Sequence, residues 1–159
     1  MITERIISIY PNTVGFGYVV LNEKGEIIDC AIVAINPIHN DKCLKRIYQI
    51  IKYYQPNIII IEDCENSKRC ERIKKLVSQI NEYENENIKV IKYKKEQVRS
   101  TFEVFGARNK FEISRKISEV YTQLQSKLPD KRKTWEPEDY YQAIFDAMAL
   151  VLTHQYFLD

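Results

Sequence analysis

Glycine is scarce in this sequence, with four residues in 159, and methionine and tryptophan are scarcer still at two and one. So few glycines leave little room for flexible loops, and each one marks a place where the backbone needs it. An excess of one charge is also missing. Lys and Arg number 24 against 22 Asp and Glu, a formal net charge of +2. The chain as a whole therefore does not announce a polyanionic partner, and any basic footprint has to come from local clustering. No apolar run approaches the ~18 residues of a membrane span. The apolar start at Ile6–Ile9 is too short for a signal peptide and lacks a cleavage region. The four cysteines, Cys30, Cys43, Cys64 and Cys70, form no C-x-x-C pair, and of the two histidines, His39 and His154, the second lies far from them. That spacing argues against zinc and for reduced, mostly buried thiols in a cytoplasmic protein.

What is present is a hydrophobic fraction of 45%, enough for a real core in one domain spanning 1–159. Strand-like runs come first. Arg5–Tyr10 stops at Pro11-Asn12. Gly15–Leu21 is aromatic and β-branched, and Asn22-Glu23-Lys24-Gly25 reads as a hairpin turn into Glu26–Ala34. Leu44, Ile47, Ile50, Ile51 and Tyr54 then recur at helical spacing over Lys42–Tyr54. After Pro56-Asn57 the run Ile58–Ile61 shows no alternation, as in a strand covered on both faces, and it ends in Glu62-Asp63. The pattern continues as a helix over Ser67–Tyr83, a strand over Ile88–Tyr93 and a short helix over Glu96–Phe105 stopped by Gly106. A helix over Lys110–Leu128, a basic loop bounded by Pro129 and Pro137, and a final apolar helix over Glu138–Phe157 complete it. The order β-β-β-α-β-α-β followed by helices predicts an α/β fold with a mixed five-stranded sheet flanked by helices.

The details in that order resemble the RuvC-type Holliday-junction resolvases, of RNase-H-like fold. Ile7-Ser8-Ile9-Tyr10-Pro11-Asn12-Thr13 and Gly15-Phe16-Gly17-Tyr18 sit where that family has its first strand, turn and Gly-rich second strand. Ile61-Glu62 matches its fourth strand end. Lys110-Phe111-Glu112-Ile113 after Gly106 approximates a later Lys-x-Gln-Val segment, and Asp146-Ala147-Met148-Ala149 with Thr153-His154 stands in the last helix. The resemblance implies metal-dependent cleavage of branched DNA by a homodimer. Its acids would converge on two Mg²⁺ ions about 4 Å apart, one readying water and one supporting the leaving oxygen.

The sequence departs from that plan. Tyr10 stands where the first-strand acid belongs, and a neutral phenol is a poor Mg²⁺ ligand. Ala143 stands where the last helix usually carries a second acid, three residues before Asp146. Asp139, on the same helix, lies about 10 Å off along the axis. Glu65 occupies the place of an aromatic wedge that would stack on an unpaired base. The resemblance leaves Glu62 and Asp146 as catalytic residues and metal ligands, with Asp63 as a helper. A glutamate at a strand end is otherwise an ordinary solvated terminus, and His154 reads as a satisfied histidine near a helix end.

Basic clusters flank these acids: Lys68-Arg69 with Arg72, Lys74 and Lys75; Lys92, Lys94 and Lys95; Arg108, Lys110, Arg115 and Lys116; and Lys131-Arg132-Lys133. The ordinary reading is a solvated helix face. The sharper one is a phosphate-tracking surface in which Lys68, Arg69, Arg108 and Lys110 contact DNA, branched DNA included. The residues lean slightly towards a Mg²⁺-dependent crossover-junction endonuclease with a degenerate acidic site and weak or absent metal binding. The rival is a catalytically inactive nucleic-acid-binding or assembly protein of the same fold. An actin-like or sugar-kinase half domain also opens with such a meander, but it needs a second domain and a nucleotide site that this chain does not offer.

Overall fold

The computed structural model describes residues 4–133 and 135–158. Strands β1 (Ile6–Pro11), β2 (Gly15–Leu21) and β3 (Ile27–Ala34) are followed by α1 (Asn40–Tyr54), β4 (Ile58–Asp63), α2 (Glu71–Asn81) and β5 (Lys89–Lys94). Helices α3 (Lys95–Val104) and α4 (Lys110–Val120), a 3-10 turn (Thr122–Lys127) and α5 (Gln142–Leu158) complete the order. The sheet runs β3-β2-β1-β4-β5. β1 pairs antiparallel with β2, and β2 with β3, while β4 is parallel to both β1 and β5. This is the expected mixed five-stranded α/β architecture.

Strand periodicity distributes the core. Successive side chains point to opposite faces of a strand. The isoleucine run of β4 therefore feeds two cores at once. Ile58 and Ile60 pack with Ile6, Leu21, Phe102, Ile117, Phe145 and Met148 on the α3–α5 face. Ile59 and Ile61 pack with Ile7, Ile9, Phe16, Ile47, Leu76 and Ile80 on the α1–α2 face. Each fully buried isoleucine contributes about 1.5–3 kcal/mol relative to exposure, so the two-sided run anchors the centre of the sheet. Helix α1 starts at His39, whose Nδ1 accepts from the Asp41 N–H at 3.1 Å, and ends at Gln55 in the left-handed region (φ 48°) ahead of Pro56. Helix α5 is apolar on nearly every side and lies over β1 and β2. Its close approach depends on Gly17: a Cβ there would sit 2.6 Å from the Cβ of Ala143.

Three helices differ from the sequence expectation by a turn or more, and the first is α2, which begins at Glu71 and not at Ser67. The stretch expected as one helix to Leu128 leaves the α-helix at Tyr121 (φ −109°, ψ 82°) and continues as the 3-10 turn. The last helix begins at Gln142 and not at Glu138. Asp139 consequently lies before the helix, where its Oδ1 accepts from the Tyr141 N–H at 2.9 Å, and it shares no helical face with Asp146. Cys43 and Cys64 are buried, Cys30 is half-buried and Cys70 is exposed, so burial of the thiols is less general than expected. His154 is buried, with Nδ1 2.7 Å from the Tyr93 hydroxyl. Its Nε2 has no partner among the described residues, so this histidine is only half satisfied.

Candidate active site and nucleic-acid cleft

The same parity that builds the core builds the site. Ile6, Ser8 and Tyr10 of β1 alternate onto the α5 face, as do Ile58, Ile60 and Glu62 of β4. Ser8 pairs with Ile60 in the parallel register. Carrying that register on by two residues sets Tyr10 beside Glu62. The Ser8 hydroxyl donates to the Ala147 carbonyl at 2.7 Å, tying β1 to α5 one residue after Asp146. Tyr10, Glu62 and Asp146 thus come from three elements to line one open cleft of about 690 Å³. Glu138 and the basic residues Lys95, Arg99, Arg108, Lys110 and Arg132 line it too.

Helix capping aims Lys110. Gly106 adopts φ 83° after α3, a conformation glycine reaches without steric cost. Asn109 then caps α4 by accepting from the Glu112 N–H at 2.9 Å. Lys110 is the first residue of that helix and turns into the cleft. Its Nζ lies 3.0 Å from Glu138 Oε2 and 3.3 Å from Asp146 Oδ2. Arg69 closes the other side. Its Nη1 donates to Glu62 Oε2 at 2.8 Å, and its Nη2 to the Pro11 carbonyl. The Tyr10 ring lies between these cations, 4.9 Å from the Arg69 guanidinium carbon and 5.8 Å from Lys110 Nζ. That is cation–π range.

Burial governs the electrostatics. It pushes the Asp146 carboxyl up to about 6, and the Glu138 charge adds to this against the opposing pull of Lys110 and Gln142. Gln142, one turn earlier on α5, donates to Asp146 Oδ1 at 3.2 Å and to Ser114 Oγ at 3.1 Å. Burial works to lower the Lys110 ammonium, but Asp146 and Glu138 outweigh it and the net shift is upward. Burial, reinforced by the Asp146 and Glu62 charges, holds the Tyr10 phenol above its ordinary range, so it is neutral at physiological pH.

A two-Mg²⁺ centre does not fit this donor set. Mg²⁺ takes oxygen ligands in near-octahedral geometry and works through carboxylates. Here the first-strand position offers a neutral phenol, and Glu62 and Asp146 each already face a side-chain cation. Among the described residues no group of three His, Cys, Asp or Glu side chains is placed to hold a metal ion. Position 143 could not easily supply another acid, because Ala143 is buried flat against Gly17.

Of the residues singled out in the sequence, Glu62, Asp146, Arg108 and Lys110 meet in the cleft. Arg69 joins them through its ion pair with Glu62. Lys68 is exposed and does not line the cleft. Asp63 alternates to the other side of β4, where it lines a second groove with Cys64, Glu65, Lys74 and Lys92. Glu138, Gln142 and Arg99 were not foreseen. Gln142 carried a signal, its i−4 spacing from Asp146 on a helix.

No protein-family model matches the chain, and no curated protein matches it. Solved structures do. RuvC of Thermus thermophilus superposes with a TM-score of 0.64 at 17% identity, covering 97% of this chain and 95% of that one. The fowlpox virus resolvase bound to Holliday junction DNA gives 0.53 at 14% identity, covering 97% and 98%. The yeast mitochondrial Holliday junction resolvase Ydc2 gives 0.60 at 10% identity, covering 95% and 77%. Sheet order, helix placement and these superpositions agree that this chain has the RNase-H-like fold of the RuvC-type Holliday-junction resolvases.

Proposed function

We propose that this protein binds DNA, branched DNA included, through the cleft and does not cleave it. The observation that carries this reading is that both acids are already engaged by side-chain cations. Arg69 sits on Glu62 and Lys110 on Asp146, at 2.8 and 3.3 Å, with the Tyr10 ring between them. Carboxylates that would attract divalent metal are answered by the chain's own cations. The wall of the cleft meanwhile keeps Lys95, Arg99, Arg108 and Arg132, which make no ion pair among the described residues. Such cations neutralise phosphates and release counterions without needing a metal. The fold supports the same partner, since the structures it superposes on include resolvases holding Holliday junction DNA.

The competing reading is a Mg²⁺-dependent junction endonuclease that works with a reduced acid set. It is favoured by the survival of Glu62 and Asp146 in one cleft. Calorimetric titration with Mg²⁺, paired with an assay on a labelled four-way junction, separates the two. Under the binding reading the protein gives no saturable heat at millimolar Mg²⁺, shifts the junction equally well in EDTA and leaves it uncut. Tyr10→Asp then restores neither metal affinity nor cleavage. Mg²⁺-dependent cleavage by the unaltered protein, lost in Asp146→Asn, would reverse the conclusion.

A further inference from the structure

Trp135 is the sole tryptophan and is 77% exposed. A lone exposed aromatic is commonplace on protein surfaces, but the setting of this one is not. It lies in the turn Lys133–Glu136. The Glu136 N–H donates to the Lys133 carbonyl at 3.1 Å, and the Lys133 N–H donates to Glu136 Oε1 at 3.2 Å. The turn therefore presents the indole on a short, hydrogen-bonded base. Both of its arms reach the cleft: Arg132 lines it on one side and Glu138 on the other, and Lys110 holds Glu138. At roughly 3.6 Å per residue, the indole can be no more than about 11 Å in backbone reach from Arg132.

A block of cations precedes the ring on this segment, and Glu136, Glu138 and Asp139 separate it from two further rings. Lys131, Arg132 and Lys133 precede Trp135, and Tyr140 and Tyr141, both exposed, follow it. The Lys133 Nζ lies 5.4 Å from the Trp135 ring centroid, and the Lys127 Nζ lies 4.9 Å from that of Tyr141. Exposed rings each with a cation at hand suit single-stranded nucleic acid. The cations follow phosphates, while flat rings offer stacking surfaces that accept any base. A fully paired duplex hides its base faces and gains only the charge term. We infer that Trp135 is a stacking platform for an unpaired base, supplied by a single strand or by the opened centre of a branched DNA, whose phosphates run into the cleft. The inference rests on the nucleic-acid reading above and adds to it the structural class of the ligand.

Because Trp135 is the sole tryptophan, its emission reports on this one position. The intact protein is titrated with a 20-nucleotide oligo(dT), the matching duplex with oligo(dA), and a four-way junction, each carrying a fluorescent end label. Label anisotropy measures binding, and tryptophan emission measures stacking. Saturable quenching is expected with oligo(dT) and with the junction, at the midpoint given by anisotropy, and little quenching with the duplex. Trp135→Ala should weaken oligo(dT) binding by at least about fivefold, the lower end of one base stack. Trp135→Phe should keep part of that loss, and Tyr53→Ala, an exposed aromatic at the end of α1, should change nothing. Binding seen by anisotropy with silent tryptophan emission and an unaffected Trp135→Ala variant overturns the stacking role alone. Absence of anisotropy change with every DNA overturns the nucleic-acid reading and this inference with it.

Discussion

Asp146 carries a charge that its surroundings resist. Its carboxyl sits at about 6 in the folded protein because burial and Glu138 outweigh Lys110 and Gln142, against ~3.9 in an unfolded chain. The fold favours the protonated form. The stability tied to that form is complete below about pH 4 and is lost as pH rises through about 6. A shift of two units corresponds to about 3 kcal/mol. Asp146→Asn mimics the protonated group, so it should match the unaltered protein near pH 4 and exceed it by roughly 1–3 kcal/mol at pH 7. Urea unfolding at both values checks this, and a variant less stable at pH 7 would mean that the Lys110 pair outweighs burial. Two of the three acids of this site were legible in the sequence. Glu62 ends a β-strand, Asp146 lies inside the last helix, and strand parity sends Tyr10 to the same face. The cations were not legible in the same way. Arg69 and Lys110 stood among basic runs that look like any solvated surface, and nothing in a sequence tells which long, flexible side chain folds inward.

At the scale of elements, helix α5 sets the tolerance of the site. It rests so closely on β2 that Gly17 has no room for a side chain: an added Cβ meets the Ala143 carbonyl carbon at 2.7 Å as well as its Cβ at 2.6 Å. Backbone cannot yield as a flexible side-chain tip would. Gly17→Ala should therefore cost about 1–3 kcal/mol, the usual range for overpacking a core, and should tilt α5 so that Asp146 moves away from Lys110. A fall in urea midpoint with an unchanged m-value reads the first effect, and weakened DNA binding by the folded variant reads the second. A variant as stable as the parent would show that α5 is not held where it lies. Most elements were visible in the sequence because turns and periodicity agreed, as at Asn22–Gly25 and along the β4 isoleucines. The ends of α4 and α5 were hidden for a physical reason. Leu124 continues the apolar rhythm past Tyr121, and a 3-10 turn keeps an i, i+3 spacing close to the helical one. Glu138 after Pro137 looks like a helix start, but the Asp139 side chain takes the Tyr141 N–H and delays the helix to Gln142.

For the whole molecule, a net charge of +2 conceals a strongly uneven distribution. Acids and bases cancel over the surface, yet the cleft gathers Lys95, Arg99, Arg108 and Arg132 on its walls while its three acids, Glu62, Glu138 and Asp146, are each held by Arg69 or Lys110. A polyanion approaching the protein meets this one face as cationic. If all four wall cations contact duplex phosphates, log Kobs should fall against log salt concentration with a slope of about −3.6, and with about −2.8 for single strands. Raising salt fourfold would then weaken duplex binding by about two orders of magnitude. Arg99→Ala and Arg108→Ala should each flatten the slope by about 0.9 and lower affinity evenly across sequences, since phosphate contacts carry no base information. Lys45→Ala, an exposed cation on α1, should leave the slope unchanged. Anisotropy titrations from 50 to 200 mM KCl, in EDTA throughout, measure all of this. EDTA also makes the experiment decisive for the site. A junction complex that keeps its affinity and slope without divalent ions is held by the chain's own cations, whereas a complex that forms only when Mg²⁺ is returned requires the acids to be free for metal and the ion pairs of Arg69 and Lys110 to open.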